Sequence, residues 1–323
     1  MDAKEFGLIG LGRMGGNLAL QALVKGYKVV GYSKSGASDS LREAGLIAAT
    51  SLSQLVSALT TPRIIFLYIP AGTAVDELIA ALTPLLSPGD ILVDGGNSYW
   101  GDSILRHHTL KMHGIHFVDL GTSGGVDGAQ NGACFMAGGD QAAIDQVQPI
   151  LLDLAIAGGY VYAGHAGMGH YTKLVHNGIE FGMLQAIGEG ITLLKNAPSP
   201  APIQAILNNW CHGSVIRSWL VELMAKAYRE DNLDQIPAYV DDTGEVNWLV
   251  ADALQMEIPI PVTATAVMQL FASRDTHQYA NRAIAMMRHQ FGGHPFGGPH
   301  PDIVKERREG RVNYNPGEKR EFK

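Results

Sequence analysis

Two cysteines, Cys134 and Cys211, are all that 323 residues contain. A pair this sparse builds no disulfide framework and has no metal-ligand spacing, so the chain suits a reducing compartment and each thiol reads as a packing residue. Charge is scarce too: Asp, Glu, Lys and Arg make up 17% of the chain, and 24 basic against 31 acidic residues give a net charge of -7. That balance disfavours nucleic acid and anionic membrane surfaces as partners, and an anionic small substrate would need a local basic pocket. No apolar run approaches the roughly 20 residues of a membrane span. MDAKEF passes directly into GLIGLG, with neither the basic region nor the cleavage site of a secretory leader, and a cytoplasmic location is expected. With 46% apolar residues the composition is that of a globular protein long enough for two domains.

What the chain does have is a change of pattern at its middle. The short apolar runs FGLIGLG, KVVGYS, RIIFLYIP, DILVDGGNS and IHFVDLGTS alternate with helix-length segments. That alternation predicts an α/β domain, a parallel sheet covered by helices on both faces. From about Gly164 the patterns are long and helical, broken by prolines at APSPAP (197–202) and IPIPV (258–262). The expected organisation is a doubly wound α/β domain over residues 1–164, an all-helical domain over 165–294, and a tail over 295–323. The tail is too rich in Gly, Pro and charge to build its own core, so it is either disordered or packed on another subunit.

Gly10-Leu11-Gly12-Arg13-Met14-Gly15 is a G-x-G-x-x-G that follows the first strand and opens a helix. Its glycines allow a tight turn, a close approach to a pyrophosphate and close helix–strand packing, with the helix N-terminus aimed at the anion. The first domain is therefore expected to be of the Rossmann type. An acidic residue at the end of the second strand would hold the ribose hydroxyls of NAD. The chain instead has Ser33-Lys34-Ser35, a lysine between two hydroxyls, which suits the 2′-phosphate of NADP. Lys34 as an ordinary exposed turn residue is the alternative.

The most unusual stretch is KLVHNGIEFG, residues 173–182. Lys173, His176, Asn177 and Glu180 stand at i, i+3, i+4 and i+7, within an arc of roughly 100° on one helix face. The remaining girth is apolar, so the helix is expected to be buried, with the polar stripe lining a cleft. Either the stripe is a satisfied core network or it is a catalytic site, where buried ions collect. Two glycine-rich turns, Val93–Ser98 and Gly121–Gly125, follow later strands and place Asn97 and Ser123 at the ligand crevice of an open α/β sheet. Turn chemistry alone also explains both residues.

The segments GLIGLGRMGGN, VDGGNSYW, DLGTSGGVDGA, KLVHNGIE, HGSVIRSWLVEL (212–223) and MRHQFGGH (287–294) together resemble the 6-phosphogluconate dehydrogenases, over Phe6 to His294 and in particular their short-chain branch. The resemblance implies oxidative decarboxylation of 6-phosphogluconate to ribulose 5-phosphate, a step of the pentose phosphate pathway, with NADP as cofactor and NAD as the alternative. It implies Lys173 as general base and Glu180 as general acid. Asn97, Ser123, Gly124, Gly125, His176 and Asn177 would contact the substrate, Asn97 also lying beside the cofactor. It further implies that Arg288 and His294 reach the substrate of a neighbouring subunit, hence a homodimer or homotetramer, and that no metal is needed. Three positions depart from the family pattern around the substrate phosphate. Phe181 stands where a tyrosine is common, Asn247 where Lys or Arg precedes Trp248, and Leu270 near a frequent arginine. Losing several charge-assisted contacts would weaken phosphate binding by orders of magnitude, so another 3-hydroxy sugar acid, an unphosphorylated aldonate among the options, is the alternative substrate.

Overall fold

A computed structural model describes residues 4–297. Residues through Leu270 form one compact unit and those from Phe271 a second. The first unit opens with β1 Glu5–Ile9, α1 Arg13–Val24, β2 Lys28–Tyr32, α2 Asp39–Glu43, β3 Ile47–Ala48, α3 Leu52–Ser57 and β4 Ile64–Leu67. It continues with α4 Thr73–Leu82, β5 Ile91–Asp94, α5 Trp100–Lys111, β6 His116–Ser123, α6 Gly125–Asn131, β7 Ala133–Gly139, α7 Gln141–Leu154 and β8 Ala155–Gly164. Helices follow: α8 Met168–Lys195, α9 Ile203–Trp210, α10 Trp219–Glu230, α11 Glu245–Gln255 and α12 Pro261–Arg274, the last running into the second unit, which contains α13 Tyr279–Gly292. The fold is α/β of the Rossmann type followed by a helical region.

The eight strands form one sheet in the order β3-β2-β1-β4-β5-β6-β7-β8. Alternate side chains feed two cores. Phe6, Leu8, Phe66 and Val93 pack with Leu18 of α1 and Val147 of α7 on one face. Ile9, Ile65, Leu67 and Leu92 pack with Leu55, Val75 and Leu110 on the other. A strand buried on both faces reads as a continuous apolar run, which is why β1, β2, β4, β5 and β6 are legible in the sequence.

The sheet is parallel as expected except where β7 enters it. β7 runs antiparallel to β6, with Ser123 opposite Cys134, and β8 then pairs parallel to β7. The seven-residue α6 is too short for a parallel crossover, so the chain must return antiparallel. β7 ends in AGG and β8 carries exposed residues and register shifts, so neither presents an apolar alternation to read.

The 28-residue α8 is held at its N-terminus by Asp119 of β6. This fully buried carboxylate accepts hydrogen bonds from the backbone N–H of Gly167 (2.7 Å) and of His170 (2.9 Å). Those are donors that a helix start leaves without an internal partner. The His170 ring meets Ser103 Oγ through Nδ1 (2.7 Å) and the Asp94 carbonyl through Nε2 (3.1 Å), tying α8 to α5 and the end of β5. Burial of the whole apolar girth of α8 is not observed. Leu174 packs with Val246, Leu249 and Val267, but Ile179 is 60% exposed and Leu193 74%. Further along the helix, Ile191 packs instead with Ile203 and Leu207 of α9 and Ala225 of α10.

In the second unit, Asp275 Oδ1 accepts from the N–H groups of His277 and Gln278 just before α13, and Gly293 with φ of 62° ends that helix. Residues 298–323, most of the expected tail, lie outside the described residues.

Replacing Asp119 with Ala leaves two backbone donors without their partner inside the protein. Each unsatisfied buried group costs about 1–3 kcal/mol, so D119A is expected to lose about 3 kcal/mol of unfolding free energy in urea titration. A loss below about 1 kcal/mol would show that water reaches this helix start.

Candidate active site

The turn after β1 is shaped by its glycines. Gly10 has φ of 96°, and a Cβ there would collide with the Tyr68 carbonyl at the end of β4. A Cβ on Gly15 would strike the carbonyl of Gly10, so α1 can approach β1 only without one. Gly12 is different: a Cβ there meets nothing within 4 Å. Packing within the chain therefore gives no reason for its glycine, whereas a ligand lying on the backbone does. Gly12 is the N-cap of α1 and offers no side-chain cap, and the first turn carries no acidic residue. Leu11 and Met14 pack on the core beneath, while Arg13 is exposed. The turn lies at the carboxyl ends of β1 and β4, where the strand order reverses direction from β1, and such a point is where open α/β sheets bind nucleotides. The end of β2 adds Ser33 and Ser35, with Oγ atoms 3.1 Å apart, around an exposed Lys34 that has no carboxylate partner among the described residues. These features fit a pyrophosphate and an adjoining anionic group.

Along the same sheet end, Asp94 organises the turn that carries Asn97. Its buried carboxylate accepts from Gly96 N (3.1 Å), Ser98 Oγ (2.8 Å) and Arg106 Nη1 (3.4 Å). Asn97 itself is exposed. After β6, Gly124 (φ 107°) and Gly125 (φ 58°) turn the chain so that Ser123 faces α8. Ser123 Oγ lies 3.1 Å from His176 Nε2.

The polar stripe of α8 is a connected network. Lys173 Nζ donates to Asn177 Oδ1 at 2.7 Å and lies 3.5 Å from His176 Nδ1. His176 Nδ1 is 3.2 Å from Asn177 Oδ1 and 3.9 Å from Glu180 Oε2. Gly121 of β6 is what lets Lys173 sit so deep: a Cβ there would be 2.5 Å from Lys173 Cβ and 2.8 Å from the Gly169 carbonyl. Burial lowers the Lys173 pKa from the ordinary lysine value, and the negative charges of Glu180 and Glu245 and the Cys134 thiol oppose that shift only in part. An amine held this way can be neutral and still be within reach of carboxylate and amide partners, which is the condition of a general base.

The structure thus brings together Lys173, His176, Asn177, Glu180 and Ser123, with Asn97 on a neighbouring turn. Arg288 and His294 belong to the second unit. Arg288 is exposed on α13, and the carbonyl of His294 lies 2.8 Å from His289 Nδ1. Of the three departures, Phe181 packs in the small apolar cluster with Leu174 and Leu249, Asn247 is exposed, and Leu270 is half-buried on α12. Two residues near the site escape the sequence reading. Glu245, buried at the start of α11, bonds Asn177 Nδ2 at 3.2 Å across 68 residues of chain. Cys134 is exposed, contrary to the packing role expected of it, because antiparallel pairing with Ser123 puts both side chains on one face of the sheet. The charge in TGEVNW and the strand ACFMAGG were the available signals, and neither has a spacing that points to α8.

Known proteins resemble this chain over most of its length. The family model described as the NAD binding domain of 6-phosphogluconate dehydrogenase matches residues 5–164, and that of the 6-phosphogluconate dehydrogenase C-terminal domain matches residues 169–300. A Bacillus subtilis protein provisionally named as a 6-phosphogluconate dehydrogenase is 42% identical over 292 residues, covering 90% of this chain and 98% of its own. An NAD(+)-dependent, decarboxylating 6-phosphogluconate dehydrogenase of Haloferax volcanii is 37% identical over 295 residues, 90% of this chain and 97% of that protein. Among solved structures, the 6-phosphogluconate dehydrogenase of Plasmodium falciparum, determined in its apo form, with its cofactor NADP+ and with its substrate 6-phosphogluconate, superposes with a TM-score of 0.76 at 28% identity. That match covers 94% of this chain and 68% of the parasite protein.

Because Gly121 abuts both Lys173 and the Gly169 carbonyl, G121A must push α8 away from β6. Overpacking of this kind costs about 1–3 kcal/mol, so a lower melting temperature is expected together with loss of turnover. A G121A variant as stable and active as the parent would contradict the close approach.

Proposed function

Because the chain belongs to the decarboxylating 6-phosphogluconate dehydrogenase family of oxidoreductases, we propose that it converts 6-phosphogluconate to ribulose 5-phosphate and CO2 with NADP as hydride acceptor. The observation that carries this reading is the half-buried Lys173, its pKa lowered, standing about two helical turns from Glu180 on the same face. A dinucleotide held by the Gly10–Gly15 turn and Lys34 would supply the acceptor for the hydride that leaves C3 of the sugar acid. Lys173 in its neutral form removes the proton of the 3-hydroxyl. Now an ammonium, it returns that proton to the C3 oxygen as the C1 carboxylate departs as CO2 and the electrons of the broken bond form an enediol. Glu180 then protonates the carbon that lost CO2, giving the ketose. Asn97, Ser123 and His176 orient the hydroxyls, and Gly124 and Gly125 let the substrate approach the backbone of the turn. On this reading residues 1–164 are the cofactor domain and 165–294 the substrate domain of a cytoplasmic homo-oligomer, in which Arg288 and His294 serve the neighbouring site.

A second substrate is favoured by one observation. Phe181 is packed among apolar side chains and Asn247 is uncharged, so two usual phosphate partners are lacking. Reduction of NADP and NAD followed at 340 nm with 6-phosphogluconate and with gluconate, CO2 being trapped from each, tests both readings. Efficient CO2-releasing turnover of 6-phosphogluconate supports the first. Higher kcat/KM for gluconate overturns it in favour of an unphosphorylated sugar acid.

Since only neutral Lys173 accepts a proton, kcat/KM is expected to rise with pH and to level off below the range in which an exposed lysine titrates. K173R should abolish turnover, because a guanidinium does not deprotonate in proteins. For the cofactor, K34A is expected to raise the KM for NADP about 10- to 100-fold while leaving that for NAD near its starting value. Equal effects on the two cofactors would remove Lys34 from the 2′-phosphate.

A further inference from the structure

Asn177 stands at the centre of the α8 network, and its amide has two unlike neighbours. Oδ1 receives a hydrogen bond from Lys173 Nζ at 2.7 Å, and Nδ2 faces Glu245 Oε1 at 3.2 Å. Glu245 is buried as the first residue of α11, and its other oxygen accepts from Thr243 Oγ1. A carboxylate can only accept, so the edge of the amide that meets it must be the NH2 group. The oxygen is thereby turned toward the lysine.

We infer that Glu245 is a positioning residue for the reaction: it fixes the Asn177 amide so that Oδ1, not Nδ2, meets Lys173 Nζ, leaving the lysine lone pair for the substrate hydroxyl. The inference rests on Lys173 as the base. With the amide reversed, the NH2 group would donate to the neutral amine and occupy the electron pair that takes the proton. With Oδ1 toward it, the amine spends one N–H on the amide and its lone pair stays available. Glu245 also brings a fixed negative charge that favours the ammonium once the proton has been taken up, against the effect of burial. The titratable groups facing Lys173 are His176 and Glu180 from its own helix, Glu245 from α11 and Cys134 from β7. Of the two carboxylates, Glu180 stands 38% exposed, while Glu245 is the one bonded to Asn177.

The experiment compares E245A and E245Q with the full-length parent on whichever sugar acid the parent oxidises, reading kcat, KM and the pH profile of kcat/KM. Misplacing a catalytic group by about 1 Å can cost on the order of 100-fold, so E245A should lose about 100-fold in kcat with KM little changed. E245Q should recover most of that loss, because its amide oxygen still accepts from Asn177 Nδ2. In E245Q the rising limb of the profile should move to lower pH, since removing the anion makes the Lys173 ammonium easier to deprotonate. A merely structural role would lower stability without moving that limb. E245A within about 3-fold of the parent in kcat, E245Q as slow as E245A, or an unmoved limb in E245Q overturns the inference. Should E245A fail to fold, the kcat and the limb of E245Q decide. K173R separates the two levels: turnover by K173R removes Lys173 as base, whereas a silent K173R beside unaffected Glu245 variants removes only the role of Glu245.

Discussion

A helix can be pressed against a sheet closely enough to bury a lysine only if both surfaces give up side chains at the point of contact. Here Gly121 and Gly138 do so on the sheet and Gly169 on α8. A Cβ on Gly169 would lie 2.6 Å from the Met136 carbonyl, one on Gly138 would lie 2.6 Å from Gly169 N, and one on Gly121 would meet Lys173 itself. Everything else at the site depends on this approach. It brings the first turn of α8 within reach of Asp119, whose carboxylate completes the helix start. It also takes Lys173 far enough from water for its basicity to fall.

The approach joins parts of the chain that have separate duties. His170, one helical turn before Lys173, touches Ser103 and the Asp94 carbonyl, and Asp94 in turn holds the loop of Asn97 through Ser98 and Arg106. Trp100 Nε1 and Tyr99 Oη both donate to Asp252 of α11, at 2.7 and 3.0 Å, so the helix that carries Glu245 is bonded to the same turn region. The end of β5, strand β6 and the helices α5, α8 and α11 are thus tied together by buried and partly buried hydrogen bonds. Where such a link is fully buried, removing it leaves a polar group without a partner.

Much of this is legible in the chain because the strongest signals are local. A G-x-G-x-x-G after an apolar run, a Lys-x-x-His-Asn-x-x-Glu stripe and five central strands follow from periodicity and the special needs of glycine. What is not legible is either non-local or lacks pattern. β8 is the edge strand and β7 its neighbour, both with glycines and exposed positions, and the reversal at β7 follows from the shortness of α6 rather than from its own residues. Glu245 is an isolated acid in TGEVNW until folding places it beside Asn177. Cys134 reads as a small apolar residue until its partner across the strand is known to be Ser123. The expected burial of all of α8 fails at Ile179 and Leu193 because apolar periodicity shows which face is greasy, not what covers it.

The glycines at the contact between α8 and the sheet have no functional group to offer, yet they tie the chemistry to the backbone more tightly than the reacting side chains do. Phe181 stands in a small apolar cluster and Asn247 in solvent, and neither bonds within the Lys173 network, so their side chains can change without breaking a bond in it. Gly121 has no such freedom, since any larger residue dislodges the helix that carries the whole stripe. On the proposed reading, the lysine that would take the proton is placed by backbone contact, whereas the positions that would select among sugar acids are set only by their own side chains.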